Sequence, residues 1–127
     1  MTRRGKGRTC STEKPREEFF SLLDEIKDFK IIVEGIKDKK ALEEFGFSDV
    51  STINRNKGLY DVAMSFKGEV LVFTDFDSEG EEISKKLSEL LRKTGCRVDT
   101  NTRRKLRRLF IKNKINTVEG LKRLKFK

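Results

Sequence analysis

Four short strand-like runs alternate with segments of helical periodicity along most of the chain, and this alternation constrains the fold more than any other feature. The runs lie at residues 30–33, 50–53, 70–73 and 96–99, and their β-branched and aromatic content predicts strands. Strand–helix alternation predicts an α/β fold, in which a parallel sheet carries helices on both faces. Ligands of such sheets bind beyond the carboxyl ends of the strands.

Composition divides the 127 residues into four predicted parts. Residues 1–13 hold glycines and basic residues with almost nothing apolar, and they predict a flexible basic arm. Residues 14–29 place apolar side chains at helical spacing and predict an N-terminal helix. The alternating α/β pattern occupies residues 30–100, and residues 101–127 form a basic helical C-terminal extension.

The C-terminal extension carries most of the positive charge. Two short helices are predicted there, near residues 102–112 and 117–124, and Asn116 and Glu119 resemble a capping box for the second. Residues 96–127 hold 12 basic and two acidic side chains, while the whole chain has a net charge of +9. This asymmetry favours a polyanionic partner, either nucleic acid or a ribonucleoprotein such as the ribosome. A solubility role for the basic ends is the alternative.

The residue types that are missing narrow the chemistry. There is no histidine, which removes Ser-His triads and histidine-bound metals. The two cysteines, Cys10 and Cys96, are too few for a disulfide framework or a four-ligand zinc site. Any metal is therefore expected to have oxygen ligands. No run approaches the ~20 apolar residues of a membrane-spanning helix, and no apolar signal segment follows Met1, so we expect a cytoplasmic protein without a membrane partner.

Acidic residues follow two of the predicted strands at their carboxyl ends. Glu34 follows the first strand, and Asp75 and Asp77 follow the third. If these two strands are neighbours, the sheet has the order 2-1-3-4 and the three carboxylates share one crevice. Carboxylates held this close repel one another unless a cation neutralises them, and Mg²⁺ is the natural counter-ion.

Two segments of the sequence carry a resemblance to a known family. They are Val-Glu-Gly at residues 33–35, followed by Asp38, and Phe-Thr-Asp-Phe-Asp-Ser-Glu-Gly at residues 73–80. Together they resemble the Toprim domain of topoisomerases, primases and 5S ribosomal RNA maturases. The resemblance covers about residues 28–100 and is strongest to the small stand-alone archaeal Toprim proteins. It implies a Toprim-like three-layer α/β/α fold with a four-stranded parallel sheet, an N-terminal helix and basic C-terminal helices.

The resemblance also implies roles for the acidic residues. Glu34 matches the family's acid/base and metal-binding glutamate, and Asp75 and Asp77 match its Mg²⁺-binding aspartates. One or two Mg²⁺ ions are expected, with Mn²⁺ as a substitute. The surrounding motif positions, which are expected to support the site, are Gly35, Asp38, Glu79 and Gly80.

Basic residues are predicted on both sides of this acidic edge, because two basic segments leave the carboxyl ends of the second and fourth strands. Basic side chains beside a metal-loaded crevice suit a phosphodiester substrate, whose backbone they attract. The predicted phosphate-binding residues are Arg55, Lys57, Arg103, Arg104, Arg107 and Arg108.

The leading functional expectation is Mg²⁺-dependent phosphodiester chemistry on RNA or DNA, by a nuclease or a phosphotransferase. The alternative is a non-catalytic RNA- or ribosome-associated module in which Mg²⁺ organises a phosphate contact. A phosphatase with Asp-x-Asp after a strand leaves Glu34 and Gly35 unexplained, and a receiver domain would need its phosphoacceptor and lysine at other strand ends. Tyr60 is predicted in a core helix without an activating neighbour and is therefore not expected to be a nucleophile.

Overall fold

A computed structural model describes residues 14–53 and 56–125 of the chain. The predicted basic arm, Cys10 and Arg55 lie outside the described residues. The described residues form one four-stranded sheet with helices on both faces. Of the helices in these two stretches, none is both long and apolar enough to cross a membrane.

The sheet is entirely parallel and has the strand order β2-β1-β3-β4, which confirms the predicted order. The register pairs Ile31 with Val50 on one side and with Leu71 on the other. The central position of β1 beside β3 brings together the carboxyl ends of the strands that precede the acidic motifs. The strands are β1 (Ile31–Val33), β2 (Val50–Thr52), β3 (Glu69–Val72) and β4 (Arg97–Val98).

Six helices surround this sheet in the described residues. The three-layer prediction is confirmed, since α1, α2 and α5 contribute to one core cluster and α3 and α4 to the other. Their bounds are α1 (Lys14–Glu25), α2 (Ile36–Glu44), α3 (Leu59–Met64), α4 (Ser78–Lys93), α5 (Thr100–Lys112) and α6 (Leu121–Lys125).

Alternation along the strands divides the core in two. Ile31 and Val33 face the layer of α1, α2 and α5, whereas Ile32 faces α3 and α4. Phe19 of α1 and Phe110 of α5 are fully buried with ring centroids 5.1 Å apart, so the basic helix α5 is anchored to the domain. Burial of each such ring stabilises the fold by about 1.5–3 kcal/mol.

The predicted capping box before the last helix is wrong. The helix α6 begins at Leu121, and residues 117–120 form a turn in which Gly120 N donates to the Thr117 side chain. The physical reason lies in tertiary contacts: Phe76 N donates to Asn116 O at 2.7 Å, and Val118 is completely buried. The segment before α6 is therefore held against the carboxyl edge of β3.

Candidate metal and nucleic-acid site

The carboxyl ends of β1 and β3 bring Glu34 and Asp75 into contact. Glu34 follows β1 directly, and its Oε2 accepts a hydrogen bond from Asp75 N at 3.0 Å. This contact spans 41 residues of sequence and exists because β1 and β3 are paired neighbours. The two family-like motifs therefore form one edge of the sheet.

Asp75 lies at the centre of the acidic edge. Its Oδ1 accepts a hydrogen bond from Val118 N at 2.8 Å, which ties the C-terminal extension to the site. The pKa of Asp75 is raised to about 6, chiefly by burial, with the charges of Asp38, Glu34 and Asp77 adding to the effect and the Val118 bond opposing it. The three neighbouring carboxylates therefore disfavour the charged form of Asp75.

Asp38 joins this edge from the first turn of α2. Its Oδ2 accepts a hydrogen bond from Gly35 N at 3.2 Å, at the start of the helix. Burial raises the pKa of Asp38, and the charges of Glu34 and Glu119 add to the effect. Glu119 was not predicted as a site residue, because its approach depends on the turn before α6 rather than on a local motif.

Asp77 has a second, structural role as the N-cap of α4. Its Oδ1 accepts from Gly80 N at 2.8 Å, so one oxygen satisfies an otherwise unpaired amide of the first turn. The side chain is exposed, as is that of Glu79. Asp77 thus stands at the solvent side of the acidic edge, while Asp75 is half-buried.

The two motif glycines, Gly35 and Gly80, differ in whether a side chain would fit at their positions. Gly35 is extended, with φ −150°, in the bend that follows Glu34, and nothing lies within 4 Å of a Cβ built on it, so the bend does not require glycine. Gly80 is buried, and a Cβ there would lie 2.7 Å from Asp75 C and would clash with Asp75 O. Thr74 Oγ1 also donates to Gly80 O at 2.8 Å. Of these two glycines, Gly80 alone has a steric requirement for the absence of a side chain.

The predicted phosphate-binding residues lie in different surroundings. Arg104 and Arg107 are exposed and line an open groove between α4 and α5, where Arg107 Nε donates to Glu81 Oε2 at 3.0 Å. Lys57 is exposed beyond the end of β2 and lines a separate groove along that strand. Arg103 is turned inward, with only 12% of its side chain exposed.

Arg108 lies one helical turn after Arg104 on α5 but lines a different groove. Together with Lys105 it forms one wall of a groove whose other wall is α1. That second wall carries Glu17, Glu18 and Glu25. The negative field of α1 opposes phosphate binding at Arg108. The groove of Arg104 is lined by one acidic residue, Glu81, whose two oxygens accept from Arg103 and Arg107.

Tyr60 is not a core residue, contrary to the prediction, because 53% of it is exposed on α3. Cys96 is buried, and its Sγ donates to Phe66 O at 3.2 Å, which agrees with a small apolar filler rather than a reactive thiol.

The donor chemistry of the acidic edge suits a hard cation, since it offers only carboxylate oxygens. Within residues 14–53 and 56–125, no three acidic or cysteine side chains lie close enough together to hold a metal ion. Glu34, Asp75 and Asp77 each direct one oxygen to a backbone N–H. Their charges and oxygen donors thus fit Mg²⁺, and the side chains would have to rotate to bring the three together.

Asparagine at position 75 should stabilise the metal-free protein at neutral pH. The folded pKa of about 6 exceeds the ordinary value of 3.8, so the native state binds the proton more tightly and loses stability as pH rises from about 4 through 6. Asparagine keeps an acceptor for Val118 N and removes this loss. We expect a gain of about 1 kcal/mol, reduced from the full shift because the side chain is partly exposed.

Urea unfolding in a chelator at pH 4.5 and pH 7.5 measures this effect. The stability difference between Asp75→Asn and the parent should grow with pH, while Asp49→Asn, at an exposed position, serves as the control. A gain that is equal at both pH values would contradict the crowding of carboxylates around Asp75.

Comparison with known proteins links this geometry to a family. The family model of the Toprim domain matches residues 30–102. The chain is 37% identical over 105 residues to a UPF0292 protein of Thermococcus sibiricus, covering 79% of this chain and 82% of that protein. It is 30% identical over 118 residues to a UPF0292 protein of Methanocaldococcus jannaschii, covering 84% and 91%. A solved structure, described as a putative protein from Aquifex aeolicus, matches with a TM-score of 0.66 and 32% identity over 82% of this chain and 95% of that one.

Proposed function

The chain belongs to the Toprim domain family, and on this premise we propose that its acidic edge holds Mg²⁺ and cleaves phosphodiester bonds in nucleic acid. Membership of the family indicates a metal-linked function on nucleic acid. The observation that most supports the proposal is the 3.0 Å hydrogen bond from Asp75 N to Glu34 Oε2. It joins the glutamate of one motif to the first aspartate of the other.

Three carboxylates hold the cation in this proposal, those of Glu34, Asp75 and Asp77. Each accepts an N–H bond through one oxygen, which leaves the other oxygen for a cation. Bound Mg²⁺, or Mn²⁺ in its place, supplies positive charge that neutralises the carboxylates and polarises one substrate phosphate, with one or two ions per site. Glu34 either binds the cation through its second oxygen or, in place of that contact, transfers a proton there.

The substrate backbone is attracted by the basic residues beside this edge. Arg104 and Arg107 are exposed along the groove between α4 and α5, and Lys57 is exposed beyond β2. Cations spread over several positions attract phosphates without regard to base sequence. We therefore propose RNA or DNA, either free or in a ribonucleoprotein, as the partner.

One observation favours a second candidate, a non-catalytic RNA-binding module. The carboxylates of Glu34, Asp75 and Asp77 each accept a hydrogen bond from a backbone amide. Among the described residues, no three acidic side chains are grouped closely enough to form a metal site. In such a module, Mg²⁺ would organise a phosphate contact without promoting hydrolysis.

Incubation of the purified protein with labelled RNA and DNA distinguishes the two candidates. Mg²⁺ and Mn²⁺ are each supplied or removed with a chelator, and both retention and cleavage are scored. The nuclease proposal predicts product only with a divalent cation. Retention without product for either nucleic acid would favour the binding module, and the absence of both would contradict a nucleic-acid partner.

Charge reversal at Arg104 should weaken nucleic-acid binding about tenfold and lower its salt dependence by about one phosphate contact. Arg108→Glu is the matched control on the same helix, since its neighbours Glu17, Glu18 and Glu25 already disfavour phosphate there. We expect less than about a threefold loss for Arg108→Glu. Fluorescence anisotropy across a salt series measures both effects, and equal losses would contradict a path along the groove of Arg104 and Arg107.

A further inference from the structure

Arg103 connects the end of β3 to the first turns of α4 and α5. Its Nη1 donates to Val72 O at 3.0 Å and to Thr74 O at 3.1 Å. Its Nη2 donates to Asp75 O at 3.3 Å and to Glu81 Oε1 at 3.0 Å. Three of these four acceptors are main-chain carbonyls of the segment that leads from β3 into the acidic edge.

The plane of the Arg103 guanidinium is also fixed. Its Cζ lies 4.5 Å from the centroid of the Phe76 ring, in a cation–π contact. That ring packs in turn against Phe110 of α5, with centroids 4.6 Å apart. A planar group with several donors in a fixed fork is required to stack and to reach all four acceptors, and lysine cannot replace it.

The charge of Arg103 is compensated within the protein. Burial lowers the pKa of the guanidinium, and the hydrogen bond and charge of Glu81 oppose this shift, with a smaller contribution from Glu34. An arginine side chain remains protonated under such conditions. Because its donors point at protein acceptors and only 12% of the side chain is exposed, little of it is available to a phosphate.

We propose that Arg103 is a positioning residue of the metal site. Arg103 holds residues 72–75 in place, so that Asp75 N donates to the Glu34 side chain and the Asp75 carbonyl packs against Gly80. This role replaces the phosphate contact that the sequence predicted for Arg103. The inference rests on the proposed function in so far as that site binds a divalent cation.

A positioning role and a purely electrostatic role of Arg103 predict different cation affinities for two variants. Arg103→Lys keeps the charge but loses the planar fork, while Arg103→Gln loses both. If Arg103 acted only through its charge, lysine would leave cation affinity unchanged and glutamine would increase it, since a repelling charge is removed. The positioning role predicts that both variants bind the cation at least about fivefold more weakly.

Calorimetric titration with Mn²⁺ compares the parent, the two Arg103 variants and Arg92→Lys, an exposed arginine in the last turn of α4 that serves as the control. We expect losses for both Arg103 variants and none for Arg92→Lys. An Arg103→Lys affinity equal to that of the parent would overturn the inference. If Arg103→Lys does not fold, Phe76→Leu serves in its place, because it removes the stacking surface and keeps an apolar contact with Phe110. We expect Phe76→Leu to weaken Mn²⁺ binding at least about twofold. Unchanged affinity in this variant would overturn the inference.

Amide hydrogen exchange without metal tests the same inference independently of the proposed function. In Arg103→Lys, or in Phe76→Leu if the lysine variant does not fold, the Asp75 amide should exchange at least about tenfold faster than in the parent, because its bond to Glu34 is no longer held. The Leu71 amide, which donates to Lys30 O inside the sheet, should keep its parent rate. Unchanged exchange at Asp75 would overturn the positioning role, whereas a parent protein that fails to bind Mn²⁺ would instead contradict the proposed metal site.

Discussion

Alanine at position 80 should destabilise the protein by about 3 kcal/mol or more, the effect of overpacking in a site that cannot relax. A Cβ on Gly80 would lie 2.7 Å from Asp75 C and closer still to Asp75 O, both backbone atoms. The segment cannot easily retreat, because Arg103 and Glu34 bond to it and Thr74 bonds to Gly80. Alanine's higher helix propensity, worth about 1 kcal/mol, is too small to compensate.

Gly35→Ala is the matched control for this substitution, since it alters the glycine of the other motif. Its backbone is extended and a Cβ there meets nothing within 4 Å, so we expect a change of less than about 1 kcal/mol. Urea unfolding of both variants in a chelator measures the difference. Equal stabilities for the two alanine variants would contradict the close approach of α4 to the Asp75 carbonyl.

Glutamine at position 34 should abolish metal-dependent cleavage, with a fall of at least about a hundredfold in rate, while nucleic-acid affinity stays within about threefold. The side-chain amide oxygen of the glutamine can still accept from Asp75 N, so the fold is expected to remain. The negative charge that would hold the cation and the group that would transfer a proton are lost. Affinity survives because it is distributed over basic residues outside the crevice.

Glu82→Gln is the control for this loss, because Glu82 is an exposed residue of α4 that pairs with Lys86 away from the motif. Cleavage and retention of the same labelled substrate are measured for the parent and both variants. Activity of Glu34→Gln close to that of Glu82→Gln would rule out a catalytic or metal-binding role for Glu34.

The sheet order could be predicted on the condition that Glu34 and Asp75 share one crevice, because this condition makes β1 and β3 neighbours. Glu34 and Asp75 each follow an apolar strand, and parallel strands present their carboxyl ends at one edge. Strand and helix bounds differ by a few residues, since hydrogen bonds to neighbouring elements decide them. For example, Cys96 N bonds to Leu91 O at the end of α4, so β4 begins only at Arg97.

The direction of each basic side chain could not be predicted from sequence. Helical spacing places Arg103, Arg104 and Arg108 on α5, but packing decides that Arg103 turns toward the carbonyls at the end of β3. It equally decides that Arg108 faces the acidic wall of α1. The contact of Val118 N with Asp75 depends on the same long-range packing, since 43 residues separate the pair.

The central claim is that the acidic edge binds a divalent cation through its three motif carboxylates. Calorimetric titration of Mn²⁺ into the parent, Glu34→Gln, Asp75→Asn and Asp77→Asn, with Mg²⁺ as competitor, tests it most directly. The account predicts saturable binding of one or two ions to the parent and an affinity at least about tenfold weaker in each variant, because each loses a charged oxygen ligand. Absence of binding by the parent, or an affinity unchanged in all three variants, would contradict it.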